Sequence, residues 1–284
     1  MVESIEPLRA DVDRHLNALG NLDELSEKRY HLTHERFESA SDQRQRILDW
    51  IKRFVETTYS SASDPPELLS VGCGGGVMDR RIADVIAEST GPVKVTGIDP
   101  NAQHIPAFAG SFEDGPHQIS TFVGGFEDFE SHRRFDLVYF LHSLYYFDAI
   151  KPALKDAVER LLPNGTLVVV QAPNGELNHL ADRVWRKQFS QSAWYSDDVR
   201  SVLESMDGET TCERIDARVD VTPCFQDGDP AGVELLDFIT QADTRAFSAD
   251  FQAVLRDSLR AICAPAGKRL VAPHPVDALV FRPH

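Results

Sequence analysis

The sequence predicts an α/β fold in which a mostly parallel, doubly wound sheet is flanked by helices. Short apolar runs alternate with amphipathic stretches between residues 67 and 172, as in strands joined by crossover helices. A glycine-rich turn, VGCGGG, separates the first apolar run from the helix after it, which is typical of a Rossmann-like nucleotide fold. The segment FDLVYFLHSL is apolar almost throughout, as expected for a central strand of a parallel sheet.

The elements follow in order along the chain. Residues 8–59 are polar with apolar positions at helical spacing, and they predict about two amphipathic helices. The breaker-rich segment SSASDPPE, residues 60–67, predicts a linker. Strands are then predicted in LLSVG, KVTGID, QISTFVG, FDLVYFLHSL and TLVVVQA, with the helix AIKPALKDAVERLL before the last of them.

Beyond Ala172 the pattern is less regular. Helices are predicted in YSDDVRSVLESM, with Ser196 as its N-cap, in ELLDFITQA and in FQAVLRDSLRAIC. DALVFRP predicts the last strand. The expected organisation is one compact domain, in which residues 1–59 form a helical N-terminal cap, 60–172 the cofactor-binding core, and 173–284 a substrate-binding region with the last strands.

Charge and composition exclude several classes of protein. The formal net charge is −16, from 45 acidic and 29 basic residues, whereas nucleic-acid binding depends on clustered Lys and Arg. The four cysteines show neither CxxC pairs nor metal-ligand spacing, so no metal site is expected. The N-terminus lacks the apolar core of a signal peptide, and no apolar run approaches the ~20 residues of a membrane span. We therefore expect a cytoplasmic protein with no nucleic-acid or membrane partner.

The glycine turn and the next strand predict a nucleotide or nucleoside site. Gly72 and Gly74 follow an apolar strand, where glycine lets the backbone approach a ligand closely. Asp99 ends the following strand, 27 residues after Gly72, and an acid there accepts hydrogen bonds from ribose hydroxyls. The block PNAQH after Asp99 is expected to place Gln103 or His104 near the ribose or adenine.

Two cofactor classes compete for this loop. A dinucleotide normally needs GxGxxG, but Val77 occupies the third glycine position. S-adenosylmethionine (SAM) has no phosphate, and Asp79 suits its cationic groups better than a pyrophosphate; alternatively, Asp79 is a helix first-turn acid. Gly125 and Phe126 follow the third strand, where adenine would lie, and Phe126 is equally consistent with a core residue.

Several blocks resemble class I SAM-dependent methyltransferases and, more specifically, the histamine N-methyltransferase family. LLSVGCGGGVMD is similar to that family's cofactor loop, and FDLVYFLHSLYYFDAIKPALK to its fourth strand with the double tyrosine. WYSDDVRSVLESM and DVTPCFQDGDPAGVELLDFIT follow in the same order. The resemblance runs from Tyr30 to Phe281, and LYYF together with CFQDGD and LDFIT is its most specific part.

The resemblance implies roles for particular residues. It implies the class I methyltransferase fold with C-terminal substrate-binding insertions, SAM as cofactor, and a monomer. Cofactor contacts are implied for Gly72, Asp99 and Leu141. The implied walls of an aromatic acceptor pocket, which suits a planar or cationic molecule, are Tyr145, Tyr146, Trp185 and Phe238, with Phe37 as a lid; Phe238 is equally consistent with core packing.

The chain departs from that family's pattern at several positions. The acid that anchors histamine falls on Gln43, next to Asp42, and a glutamine does not neutralise an ammonium group. His142 stands where the family has glutamine before the double tyrosine, His274 where it has asparagine, and His104 where it has glutamine in the ribose block. The sequence therefore does not predict recognition of histamine itself.

Three hypotheses on function follow, all with a small-molecule partner. The first, favoured by the resemblance, is N-methylation of an amine or imidazole-type acceptor, which needs little beyond a desolvated, neutral nitrogen. The second is O-methylation of a hydroxyl or carboxylate, with His142 and His274 as catalytic residues, since histidine is a suitable general base near neutral pH. The third is a SAM-binding protein without catalysis.

Overall fold

The computed structural model describes residues 6–58, 65–175 and 177–284. Within these ranges the strands are β1 Glu67–Val71, β2 Lys94–Asp99, β3 Gln118–Val123, β4 Phe135–Leu141, β5 Leu161–Gln171, β6 Gly208–Ile215, β7 Arg218–Asp220, β8 Ala264–Ala266, β9 Arg269–Pro273 and β10 Val276–Pro283. The α-helices are α1 Glu6–Ala18, α2 Glu27–Ala40, α3 Gln43–Thr58, α4 Val77–Thr90, α5 His104–Ser111, α6 Ile150–Glu159, α7 Asn178–Phe189, α8 Ser196–Glu204, α9 Pro230–Thr240 and α10 Ala249–Ile262.

The main sheet has the strand order β3-β2-β1-β4-β5-β10-β6. Its pairs from β3 to β5 are all parallel, and β10 runs antiparallel to both β5 and β6. The strand order reverses between β1 and β4, so the carboxyl ends of these two strands meet at a topological switch point, where open α/β sheets bind ligands. The predicted doubly wound, mostly parallel sheet is confirmed.

Helices cover both faces of this sheet. Successive side chains of a strand point to opposite faces, and Leu68 and Leu69 of β1 accordingly belong to two different apolar cores. Leu68 lies in the core that includes Ile51 of α3 and residues of α4. Leu69 lies in the core formed with residues of α6 and α8, such as Leu154 and Val199. Each of these helices buries one apolar stripe, which is what fixes the position of the loops at the strand ends.

The chain divides into two compact units. The sheet unit comprises the described residues of Arg44–Pro173, Trp194–Ile215 and Val276–His284. The helical unit comprises those of Met1–Gln43, Asn174–Ala193 and Asp216–Pro275. Its core is contributed by α1, α2, α7, α9 and α10, and it also contains a small antiparallel sheet of order β7-β9-β8. None of the helices in the described ranges combines the length and apolarity needed to cross a bilayer.

Several elements differ from the sequence expectations. Helix α3 belongs to the sheet unit, so the unit boundary at Gln43 does not coincide with the expected end of an N-terminal cap at residue 59. The predicted linker at residues 60–67 lies mostly outside the described residues. The prediction that Ser196 caps α8 is wrong: Ser196 is the first helical residue and donates its hydroxyl to Asp277 Oδ2 at 2.6 Å. A buried carboxylate acceptor holds this hydroxyl more strongly than a backbone N–H would.

Candidate functional site

The glycine loop, residues 72–76, joins β1 to α4 at the switch point. Gly72 has φ +72°, and a Cβ placed on it would lie 2.4 Å from the Cβ of Ser143, in the loop after β4. Ser143 is itself fixed there, because its hydroxyl donates to the Val71 carbonyl at 2.6 Å. Gly74 also has a positive φ, +54°, but a Cβ there would meet nothing within 4 Å. Gly72 thus allows two loops to touch, and Gly74 leaves open a backbone surface that a ligand can approach.

Asp99 joins the end of β2 to this loop. Its Oδ2 accepts from the Gly74 N–H at 2.9 Å, and its Oδ1 accepts from the Asn101 N–H at 2.9 Å. His104 Nδ1 lies 3.0 Å from the same Oδ1. The structure therefore brings Gly74, Asp99 and His104 together. A carboxylate offers about four lone-pair positions and three are taken, so accepting from two ribose hydroxyls requires His104 to release its bond.

The third strand places the next candidate residues at the same sheet end, but Phe126 lies in the core. It is 3% exposed and packs edge-on against Phe140 of β4 at a centroid distance of 5.8 Å. The Arg160 guanidinium lies 5.2 Å from the other side of its ring. This side chain is thus packed as the core alternative expects, and its contact with adenine stays a prediction. Gly125 precedes it in extended conformation, and Leu141 ends β4 half-buried.

His142 and Tyr145 form a hydrogen-bonded pair just past β4. His142 has φ +55°, a conformation that costs a non-glycine residue about 1 kcal/mol or more. Its Nδ1 lies 3.0 Å from the Tyr145 hydroxyl, and that hydroxyl accepts from the Ala172 N–H at 2.9 Å. Burial raises the pKa of Tyr145 well above its ordinary value, so the phenol keeps its proton. Tyr146 is 60% exposed, with its ring edge-on to that of Tyr145.

The direction of the hydrogen bond between Tyr145 and His142 depends on the tautomer of His142. The Tyr145 oxygen accepts from the Ala172 N–H, and in one of the two tautomers of His142 the Tyr145 hydroxyl donates its own proton to His142 Nδ1. A neutral imidazole that accepts at Nδ1 carries its proton on Nε2. In that tautomer His142 is a hydrogen-bond donor at Nε2.

The helical unit brings two of the other predicted acceptor residues, Phe37 and Phe238, into an aromatic cluster. The Phe238 ring on α9 lies 4.7 Å from that of Phe37, which in turn meets His274 edge-on at 4.8 Å. Two residues that the sequence interpretation missed, Tyr30 and His34, also contact Phe238, at 5.9 and 5.4 Å. Tyr30, His34 and Phe37 recur at helical spacing on α2, and that pattern was the available signal. Trp185 lies on α7 with its ring against Phe189 at 4.5 Å.

Gln43 is engaged in backbone contacts of the same unit. It is 5% exposed, and its Nε2 donates to the His274 carbonyl at 2.8 Å. The neighbouring Asp42 carboxylate accepts from the Arg218 N–H at 2.7 Å, and His274 Nδ1 lies 3.1 Å from the Ser41 hydroxyl. These bonds join residues 41–43 to β7 and to the turn after β9, all within the helical unit. The Gln43 amide nitrogen therefore has a structural acceptor in this structure.

His274 gives the stability of the protein a distinct pH dependence. Burial lowers its pKa to about 4, against the opposing charge of Asp42. In the unfolded chain His274 has an ordinary pKa near 6.5, so between pH 6.5 and 4 the unfolded chain binds more protons than the folded protein does. The contribution of neutral His274 to the free energy of unfolding is therefore fully present above pH 6.5 and is lost as the pH falls from 6.5 to 4. We expect protonation of His274 to lower the free energy of unfolding by about 3 kcal/mol over this pH range.

Denaturant unfolding at a series of pH values measures this effect. In His274→Asn the slope between pH 6.5 and 4 should be smaller than in the wild type, because the carboxyl groups that titrate below pH 5 are common to both proteins. Parallel curves for the two proteins would contradict the neutral, buried state of His274.

A family model described as a methyltransferase domain matches residues 32–214. Carnosine N-methyltransferase 2 of Gallus gallus is 26% identical over 219 residues, 70% of this chain and 66% of that protein. Histamine N-methyltransferase A of Xenopus laevis is 26% identical over 237 residues, 74% of this chain and 79% of that protein.

Solved structures share the fold at low sequence identity. The YcgJ protein from Bacillus subtilis superposes with a TM-score of 0.56 at 12% identity, covering 82% of this chain and 97% of that one. The plantazolicin methyltransferase BpumL, in complex with a pentazolic desmethylPZN analog and SAH, gives a TM-score of 0.54 at 12% identity over the full length of both chains.

Proposed function

The chain belongs to the methyltransferase-domain family, and on that premise we propose that it methylates a nitrogen of a small acceptor of the imidazole type. At the coarser level it is a SAM-dependent small-molecule methyltransferase, so the predicted enzyme class and cofactor and the resemblance to histamine N-methyltransferases are confirmed. The identity of the molecule that accepts the methyl group is part of the proposal.

The cofactor loop suits SAM. Gly74 offers open backbone, Asp99 a carboxylate with one remaining acceptor position, and Leu141 an apolar contact at the end of β4. We propose these three, with Gly72 and His104, as the groups that hold the nucleoside. When bound, SAM supplies the methyl group and its own leaving group. The protein has to position a nucleophile in line with that methyl group and exclude water.

The observation that carries the choice of nitrogen is the 3.0 Å hydrogen bond between the Tyr145 hydroxyl and His142 Nδ1, in which we assign Tyr145 as the donor. A hydroxyl acceptor benefits from a general base, but His142 in this tautomer offers a proton on Nε2 instead of a free lone pair. His274 is neutral at pH 7, and with a pKa of about 4 it is a weak base. The two histidines that motivated the O-methylation hypothesis are therefore poorly suited to deprotonate an alcohol.

An imidazole acceptor requires no base. Its ordinary pKa is near 6.5, so most of it is neutral at pH 7, whereas an alkylamine with a pKa near 10 is almost entirely protonated. The two relatives are named for histamine and carnosine, which both contain an imidazole ring. We assign Tyr145 and Tyr146 to acceptor binding. His142 Nε2–H has the role of orienting the acceptor through a polar group outside the ring, because the accepting ring nitrogen is the nucleophile. The roles of Phe37, Gln43, Trp185 and Phe238 stay predictions.

Calorimetric titration with SAM and SAH, followed by mass spectrometry of an acceptor panel, tests this proposal. The panel pairs 4-methylimidazole and imidazole-4-propionate with matched amines, phenols and carboxylic acids. We expect SAM binding and a product heavier by one methylene group, carrying the methyl on a ring nitrogen. Methylation on oxygen would reject the nitrogen assignment, and binding without a product across the panel would favour the non-catalytic hypothesis.

Replacing His142 with glutamine tests its role as a donor. The amide retains an N–H but has no basic nitrogen, so we expect kcat for an imidazole acceptor to fall by less than about tenfold, with the larger change in KM. Loss of a general base typically lowers the rate 10²–10⁴-fold. A fall of that size in His142→Gln, with unchanged SAM affinity, would instead assign His142 as a base.

A further inference from the structure

A buried carboxyl group behind the glycine loop has no role in the function described so far. Asp79 lies in the first turn of α4 and is 4% exposed. The Tyr139 hydroxyl of β4 donates to its Oδ1 at 2.7 Å, and the Ser70 hydroxyl of β1 also bonds to it. Three elements, α4, β4 and β1, thus converge on one carboxyl group three residues after the glycine loop.

The surroundings of Asp79 contain acids and neutral hydroxyls. In the described part of the chain, the side chains that bond to its carboxyl group are those of Tyr139 and Ser70. Burial raises the pKa of Asp79, and the charge of Asp99 adds to this. Burial likewise raises the pKa of the Cys73 thiol, with further contributions from Asp79 and Asp99. Among the described side chains that bond to Asp79 or Asp99, the one able to carry a positive charge is that of His104, which bonds to Asp99.

Such an arrangement favours a cationic ligand at the loop. A buried carboxylate without a cation is costly, and the group avoids this cost by keeping its proton. SAM has a positive sulfonium that the product SAH lacks. A positive charge brought to the loop favours the ionised carboxyl group, and the dipole of α4 stabilises that anion further.

We propose that Asp79 is a positioning residue for SAM that couples cofactor binding to proton release, being neutral in the free protein and a carboxylate opposite the sulfonium charge. The proton passes to solvent as SAM binds. After methyl transfer the sulfonium has become a neutral thioether, and Asp79 takes a proton back from solvent. Asp79 thereby favours SAM over SAH and helps to release the product. This inference rests on SAM as cofactor and is independent of the acceptor.

Calorimetric titration of the full chain with SAM in phosphate and in Tris, from pH 5 to 8, measures the protons released. Wild type should bind SAM with a heat that depends on the buffer, corresponding to release of up to one proton, and should release fewer with SAH. In Asp79→Asn the release should be lost, SAM affinity should fall about tenfold, and SAH affinity should change less. Buffer-independent heats in the wild type, or undiminished release in Asp79→Asn, would overturn the proposal.

Two further variants identify the source of the proton. His104→Gln should still release a proton, because it leaves Asp79 in place, and loss of the release in that variant would assign it to His104 and reject the proposal. Tyr139→Phe removes a donor that favours the ionised carboxyl group, so its release should persist to higher pH than in the wild type. If Asp79→Asn does not fold, the pH range over which Tyr139→Phe releases a proton tests the proposal instead. Failure of the wild type to bind SAM would contradict the cofactor assignment itself, which is a different outcome.

Discussion

Gly72→Ala is expected to destabilise the protein by about 2–5 kcal/mol. The left-handed conformation costs alanine about 1–2 kcal/mol, and φ at Gly72 is +72°. Overlap in a packed region adds about 1–3 kcal/mol, because the new Cβ would lie 2.4 Å from the Cβ of Ser143. Urea unfolding followed by circular dichroism measures the loss.

Gly74→Ala is the matched control. Its φ is also positive, but a Cβ at that position meets nothing within 4 Å, so the cost should be limited to about 1–2 kcal/mol of backbone strain. Ser143→Gly in the Gly72→Ala background removes the overlapping atom and should restore part of the stability. Equal destabilisation by the two alanines would contradict the contact between the loops after β1 and β4.

Asp99→Ala is expected to lower SAM affinity by more than about 100-fold while leaving the protein folded. The change removes the carboxylate proposed to contact the ribose, worth about 1.5–3 kcal/mol for each charged hydrogen bond. It also leaves the N–H groups of Gly74 and Asn101 without their acceptor, so the loop loses its ordered conformation. Calorimetric titration with SAM measures the affinity, and unfolding in urea should show a stability loss of about 1–3 kcal/mol.

Asp99→Asn separates the two contributions. An amide of the same shape retains one acceptor oxygen but presents an NH₂ group where the carboxylate accepts a second bond. Its SAM affinity should lie between those of the wild type and Asp99→Ala. If Asp99→Ala binds SAM as tightly as the wild type, Asp99 is not a ribose ligand.

The sheet was predictable from sequence because its central strands are buried on both faces. VVV in β5 and LVYF in β4 have no other favourable location in a soluble chain, and β10 was recognised for the same reason. Strand β6, GETTCERI, was missed since it pairs on one side only and is largely exposed. Helix α7 was missed because most of its residues, such as those of RKQF, are polar. Edge elements are determined by tertiary pairing that composition does not encode.

The candidate site was predictable where a backbone conformation demanded a particular residue. Gly72, Gly74, Asp99 and His104 lie in one region, as their positions at the ends of β1 and β2 implied. Side-chain partners were not predictable, because they depend on contacts distant in sequence. Tyr139 reaches Asp79 across 60 residues, and the Gln43 amide bonds to a carbonyl 231 residues away.

The position of β10 between β5 and β6 affects how the protein can be made. The segment Val276–His284 of the sheet unit supplies this inner strand, so β5 keeps an unpaired edge on the ribosome until this segment emerges. Unpaired strand edges recruit other chains, and a nascent chain in that condition is prone to aggregate. A chain that lacks residues 276–284 therefore yields a misassembling product in place of a smaller active enzyme.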